Sequence, residues 1–210
     1  MVEAVLFLGT LQKFLDSISH SMRPLVVATQ NSGKLAEMKR YLADLDWDLQ
    51  LMPPDLEIEE TGKTFLENAL LKATQTAKQT GQWAIADDSG LAVNALDGAP
   101  GIYSARYGDS DDARINRLLS ELENKLDRSA QFVCVIAISS PEGATVINAE
   151  GFCPGEILTE RQGDGGFGYD PVFWVPECQK TYAQMTKAEK YEVSHRGRAF
   201  EAILPKLKQL

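Results

Sequence analysis

IADDSGLAV, Ile85 to Val93, sets two carboxylates side by side at the end of an apolar run and follows them with serine and glycine. The stretch from Trp83 to Asp88 reads as a buried strand, and Ser89–Gly90 as the turn that ends it. Successive side chains of an extended strand point to opposite faces. Asp87 and Asp88 therefore share one site only where the strand has begun to turn. On this reading Asp88, at the strand end, faces a cleft, and Asp87 braces nearby backbone or a cation. An interior acid without a partner is costly, so a second carboxylate and a cation are to be sought elsewhere in the chain.

Upstream, PLVVAT (Pro24–Thr29) reads as a short buried strand. QNSGK follows, then a helix with Leu35, Met38, Leu42 and Leu45 at helical spacing and Asn31 or Ser32 as its cap. A strand, a tight loop and a helix start suit an anion. Thr29, Asn31 and Ser32 offer donors, Gly33 lets backbone come close, and Lys34 adds charge. The phosphate-loop pattern itself fails, because Ala28 and Leu35 stand where it needs Gly and Ser or Thr. An ordinary cap with a solvated lysine explains this stretch alone equally well.

WDLQLMP reads as a second strand, and a second helix is expected over about Thr64 to Thr80. Thr64 and Glu67 form a capping-box pattern, and Gly81 suits the C′ position. Leu66, Ala69, Leu70, Ala73 and Ala77 mark its buried face, with Asn68 and Lys72 one turn apart on another. EETG (Glu59–Gly62) places paired acids before this helix. A divalent cation shared by Glu60 and Asp88 would offset the cost of an interior acid. Mg²⁺ suits such a pair, since it takes a few carboxylates together with phosphate oxygens and keeps several waters.

Downstream, Asp111 to Leu126 reads as a third helix. AQFVCVIAIS and ATVINAEGF are strands joined by SPEGA, a hairpin pattern. GDGGFG (Gly163–Gly168) has the letters of a dinucleotide loop, but it leads into an apolar strand instead of opening a helix. It reads as a flexible loop that can lay Phe167 against a flat base, with Tyr169 close behind. From Thr186 the chain reads as two short helices with SHRGR between them, and His195 beside Arg196 in that turn reads, by itself, as surface decoration. Alternating strands and helices followed by a run of strands argue for an α/β fold with a mixed sheet.

The 210 residues suit one domain, or one domain with a lobe. A formal net charge of −9 argues against non-specific binding to nucleic acid or to an anionic membrane. Three cysteines, with no CxxC spacing, read as reduced thiols in the cytoplasm. With only His20 and His195 to join them, a zinc site is not expected. No stretch approaches the roughly 20 apolar residues of a membrane span. Residues 1–21 lack a basic region and a cleavage site of the secretory kind. They are expected to form an appended extension, mobile or loosely docked, ahead of a domain over 22–210.

Taken together, TQNSGK, EETGKTFLENALLKA, ADDSGLAVNALDGAPGIYSARYG, GGFGYDPVF and SHRGRA closely resemble the inosine-triphosphatase-like nucleoside triphosphate pyrophosphatases, the dITP/XTP pyrophosphatases. Each motif is weak alone; five in order, from about Leu25 to Leu207, are specific. The resemblance implies an elongated, two-lobed α/β domain with a long mixed sheet flanked by helices and the active site in the cleft between the lobes. It implies Mg²⁺-dependent hydrolysis of ITP, dITP and XTP between the α- and β-phosphates, giving the monophosphate and pyrophosphate, by a homodimer. It also implies roles. Thr29, Gln30, Asn31, Ser32, Gly33 and Lys34 would hold the triphosphate, joined by Lys72. Glu60 and Asp88 would hold the metal, with Asp88 also taking the proton of the attacking water. Ser89 would touch the substrate. Phe167, Gly168, Tyr169 and Asp170 would line the base pocket, and Lys190, His195 and Arg196 would read the purine. Whether Glu59 or Glu60 reaches the metal is open on the sequence. So are three rivals: a pyrimidine-directed pyrophosphatase, a nucleotide-binding regulator without chemistry, and an enzyme that removes only the γ-phosphate.

Overall fold

The structure, a computed structural model, describes residues 22–210; the extension over 1–21 lies outside the described residues. Short apolar runs build the parallel part of the sheet. β1 (Arg23–Val27) pairs in parallel with β2 (Trp47–Leu51) on one side and with β3 (Trp83–Val93) on the other. Parallel neighbours need long crossovers, usually helical, and α1 (Ser32–Tyr41) and α2 (Phe65–Thr80) supply them. After α3 (Asp111–Glu121), β4 (Ser129–Ser139) and β5 (Thr145–Ile157) form the expected hairpin, with β4 antiparallel both to β3 and to β5. Short strands β6 (Phe173–Val175) and β7 (Lys180–Thr181) complete a seven-stranded mixed sheet of order β2-β1-β3-β4-β5-β6-β7. Two helices close the chain, α4 (Lys187–Val193) and α5 (His195–Leu207).

Two sequence expectations are corrected here. β3 does not end at Asp88: it runs eleven residues and keeps continuous register with β4, from Ala84 opposite Ser139 to Val93 opposite Ala130. Gly90 is not a turn glycine but one of close approach. A Cβ there would come within 2.3 Å of the Gly101 carbonyl oxygen and 2.6 Å of Ser104 Oγ, so the 3₁₀ segment Gly101–Arg106 lies directly on the strand. SHRGR, in turn, is no linker. Ser194 caps α5 by accepting from the Gly197 amide, and His195–Arg198 form its first turn, with His195 and Arg196 buried. The reason is packing on β5. A Cβ at Gly151 would lie 2.1 Å from the His195 carbonyl oxygen, so only glycine lets the helix start settle onto the sheet.

The core is divided. On one face, Leu25 and Val27 of β1, Met38 of α1, Ile85, Ile136 and Ile138 pack with Phe200 and Ile203 of α5. Phe200 stacks on Tyr41 at 4.4 Å, and burial of such a ring contributes on the order of 2–3 kcal/mol. On the opposite face, Ala69 and Ala73 let α2 sit close on Ala28, Ala86, Val135 and Ala137. A separate cluster joins Leu91 and Val93 to Phe132, to Ile115 and Leu118 of α3, and to Phe173 and Tyr182. β3 and β4 thread all three clusters, the first two packed on opposite faces at one end and the third at the other, which gives two lobes on one sheet. Asp87–Gly90 occupies the stretch of β3 between Ile85 of the first lobe and Leu91 of the second. All three cysteines are unpaired. Among the described residues, no helix is long and apolar enough to cross a membrane.

Candidate active site

Because β3 stays extended, its two aspartates point to opposite faces of the sheet. On the face covered by α1 and α5, Asp87 is buried between two cations. Lys34 Nζ lies 3.1 Å from Oδ1 and Arg196 Nη2 lies 2.8 Å from Oδ2. Arg196 Nη1 also donates to Glu37 at 2.7 Å, and Nη2 to Ser89 Oγ at 3.1 Å. Burial pushes the Asp87 carboxyl up, but Lys34 and Arg196 together outweigh it and hold it far below the usual carboxylate range. Asp87 thus braces cations, one of the two roles expected of it.

Asp88 faces α2. Lys72 Nζ sits 3.0 Å from Asp88 Oδ1 and 2.7 Å from Glu60 Oε1, so two carboxylates from distant segments converge on one ammonium. Glu60 Oε2 also accepts from Arg106 at 3.0 Å. Of the two adjacent glutamates, Glu60 turns inward to Lys72 while Glu59 is exposed. Asn68 links the two acid-bearing segments. Its Nδ2 donates to Asp88 Oδ2 at 3.2 Å, and its Oδ1 accepts from the Gly62 amide at 2.8 Å. Asn68 and Lys72, one turn apart on α2, are both buried, because the acids they hold lie inside. Burial raises the Asp88 carboxyl above its ordinary value despite Lys72. Glu60 is lowered, because Lys72 and Arg106 overcome its partial burial. The Lys72 ammonium, which burial alone would weaken, is held above its ordinary value chiefly by Asp88 and Asp87.

Among the described residues, no group of three or more His, Cys, Asp or Glu is placed to hold a metal. The pair Glu60–Asp88 does fit a hard cation, since both already close on a positive stand-in and a hexacoordinate ion would take its remaining oxygens from phosphate and water.

Beside Ser89 opens a hollow of about 260 Å³, lined by Asn31, Lys34, Ser89, Phe132, Phe167, Gly168, Tyr169, Asp170, Lys190, His195 and Arg196. A second, of about 350 Å³, continues past Phe167 along α1 and α4 and takes in Gly33. Phe167 borders both and is 50% exposed, as a ring free to meet a ligand would be. Its loop is fastened by Asp170, which accepts from the Phe167 amide at 2.9 Å and from Lys190 Nζ at 2.5 Å. The Tyr169 hydroxyl donates to the Ser104 carbonyl oxygen at 2.9 Å, making that ring a strut as well as a wall. Thr29, Gln30 and Ser32 line neither hollow: Gln30 turns to the Pro53 carbonyl, and Thr29 Oγ1 accepts from the Asn31 amide. Asn31 Oδ1 caps α1 by accepting from the Gly33 and Lys34 amides.

His195 is stacked on Phe132 at 4.7 Å, with its Nδ1 buried and unpartnered. Burial, Arg196 and Lys190 push its pKa well below the ordinary value, so it is neutral near pH 7. The unfolded chain takes up this proton below about pH 6.5 while the folded chain does not, so stability falls as pH drops through that point, with a limiting slope of about 1.4 kcal/mol per pH unit. Urea titrations at pH 7.0 and 5.5 should show the wild type losing about 1 kcal/mol more than His195→Gln. Equal losses would show that the imidazole takes no part.

Glu37, Asn68 and Arg106 were not singled out as site residues by the sequence. Asn68 carried one usable signal, its one-turn spacing from Lys72; Glu37 and Arg106 carried none.

Comparison with known proteins accounts for nearly the whole described chain. The Ham1 family model matches residues 25–206. A relative from Nostoc sp. (strain PCC 7120), named dITP/XTP pyrophosphatase, is 62% identical over 183 residues, covering 87% of this chain and 93% of that one. One from Synechocystis sp. (strain PCC 6803), with the same name, is 58% identical over 183 residues, covering 87% and 94%. The solved structure of a HAM1 protein from Coxiella burnetii superposes with a TM-score of 0.83 at 45% identity, over 90% of this chain and 100% of that one. The matched segment opens in β1 and closes in α5, taking in both faces of β3 and every residue of the site. On that ground the chain belongs to the Ham1 family.

Proposed function

We propose that this chain is a nucleoside triphosphate pyrophosphatase that hydrolyses deaminated purine nucleotides, dITP, ITP and XTP, to the monophosphate and pyrophosphate. Two close relatives are named for the dITP and XTP reaction. The observation that carries the reading is the meeting of Glu60 and Asp88 on one cation, beside a hollow that offers a ring and fixed donors. Mg²⁺ bound by Glu60 and Asp88 would neutralise phosphate charge and acidify a bound water.

The chain's own groups do the rest. Lys34, at the start of α1, offers its ammonium to the phosphates and is held by Asp87 until they arrive. Asp88 takes the proton of the attacking water on a carboxylate oxygen; its raised proton affinity suits an acceptor that must also let the proton go. Asn68 keeps Asp88 Oδ2 in place, while Oδ1 is turned to Lys72 and the cation seat. No covalent nucleophile is required, since phosphoryl transfer asks mainly for positioning and charge stabilisation. Phe167 covers the base, and Lys190, His195 and Arg196 present donors to a 6-oxo group. Arg196 is fixed by Asp87 and Glu37, so its aim is set before the ligand enters. Adenine would place an amino group against those donors and lose roughly 1–3 kcal/mol. A cytoplasmic homodimer goes with this reading.

A nucleotide panel with Mg²⁺ tests it. ITP, dITP and XTP should yield monophosphate and pyrophosphate, with kcat/KM for ATP lower by about 10–100-fold, the rate equivalent of that penalty. IDP with orthophosphate, or a preference for dTTP or UTP, would overturn it.

A further inference from the structure

We propose that Lys72 is a placeholder cation. Its ammonium fills the seat between Glu60 and Asp88 in the free enzyme, and it must withdraw before a divalent ion can be held there, so metal uptake is weak until a nucleotide supplies the anion to which Lys72 can turn. This deepens the pyrophosphatase reading and takes the location of the metal seat from it.

Three observations carry the inference. Lys72 Nζ makes both of its contacts to the two carboxylates, at 2.7 and 3.0 Å, which is where a shared metal would have to sit. The local charge is already balanced: Glu60 and Asp88 carry two negative charges, and Lys72 and Arg106 carry two positive ones. A bare divalent ion would leave this cluster with a surplus of positive charge, whereas a metal arriving with a polyphosphate would not. Finally, the backbone of Lys72 cannot follow the change. Its neighbours Ala69 and Ala73 are fully buried against the sheet, so only the flexible four-carbon stem can move. Lys72 therefore exchanges one partner for another, from carboxylates to phosphate, without any rearrangement of α2.

The test measures metal binding in the absence of nucleotide. Mn²⁺ is titrated into the full chain and free Mn²⁺ is followed by electron paramagnetic resonance. Lys72→Met should bind Mn²⁺ at least about tenfold more tightly than wild type, an order of magnitude appropriate to removing one close like charge at the effective dielectric of a partly buried site. Lys72→Gln, which keeps a donor between the acids, should shift in the same direction and covers the case in which the methionine variant does not fold. Adding Glu60→Gln to either variant should abolish the gain. Unchanged or weaker Mn²⁺ binding in the foldable variant overturns the proposal, as does a gain that survives Glu60→Gln. A tight, Glu60-dependent Mn²⁺ site in a protein that releases no pyrophosphate from any nucleotide would instead overturn the catalytic reading and leave the placeholder standing.

Discussion

Replacing Asp88 by asparagine is expected to lower kcat by about a thousandfold, within the range of about 10²–10⁴ associated with loss of a general base, and by more where a metal ligand is lost as well. The fold should survive. Burial already raises the Asp88 carboxyl above its ordinary value, so the folded chain disfavours its charge, and a neutral amide relieves that burden. Lys72 keeps Glu60 at 2.7 Å, and the Asn68 amide can still donate to the new carbonyl oxygen. Pyrophosphate release and urea denaturation, measured on the same preparation, separate the two effects. A variant with wild-type kcat would remove Asp88 from the chemistry. One that unfolds would show that Asp88 supports the sheet more than the reaction.

Arg196→Met should act in the opposite way, chiefly on stability. The guanidinium is buried and holds Asp87 and Glu37 at 2.8 and 2.7 Å. Removing one partner of a buried pair leaves the other desolvated and costs about 3–5 kcal/mol. For a chain of this size that lowers Tm by roughly 6–20 °C. The double variant Arg196→Met with Asp87→Asn should recover part of the loss, since the stranded charge is gone. The pH dependence follows from the same pair. The folded-state pKa of Asp87 is depressed, so its contribution is full above the unfolded carboxylate value of about 4 and is lost as pH falls below it. Arg196→Met should shrink that acid loss. A melting temperature within a degree or two of wild type would mean that Lys34 alone suffices for Asp87.

Much of the architecture was legible from periodicity and caps: the strand–loop–helix opening, α2 with its Thr64 cap and its left-handed Gly81, the β4–β5 hairpin and the mixed sheet. The site was legible in its members more than in its geometry. Gly90 and SHRGR misled for one reason. In each, glycine and serine stand for turns in local rules, whereas here Gly90 clears room for a 3₁₀ segment on β3, and Ser194 caps a helix whose start settles onto Gly151 of β5. That distinction depends on neighbours far along the chain. The spacing of Asn68 and Lys72 set them on one face of α2 apart from the apolar stripe, but local pattern cannot know that the interior opposite that face holds two acids. Glu37 and Arg106 became visible only through their partners in space.

The uninterrupted pairing of β3 with β4 through Asp87–Gly90 also limits how the molecule can flex. With no loop at the waist to serve as a pivot, the lobes can approach one another only by a change in the coil of the ladder itself, which bends but does not break its backbone bonds. Asp88 is mounted on that continuous ladder, whereas Phe167 and the arginine of the 3₁₀ segment stand on stretches of chain outside it.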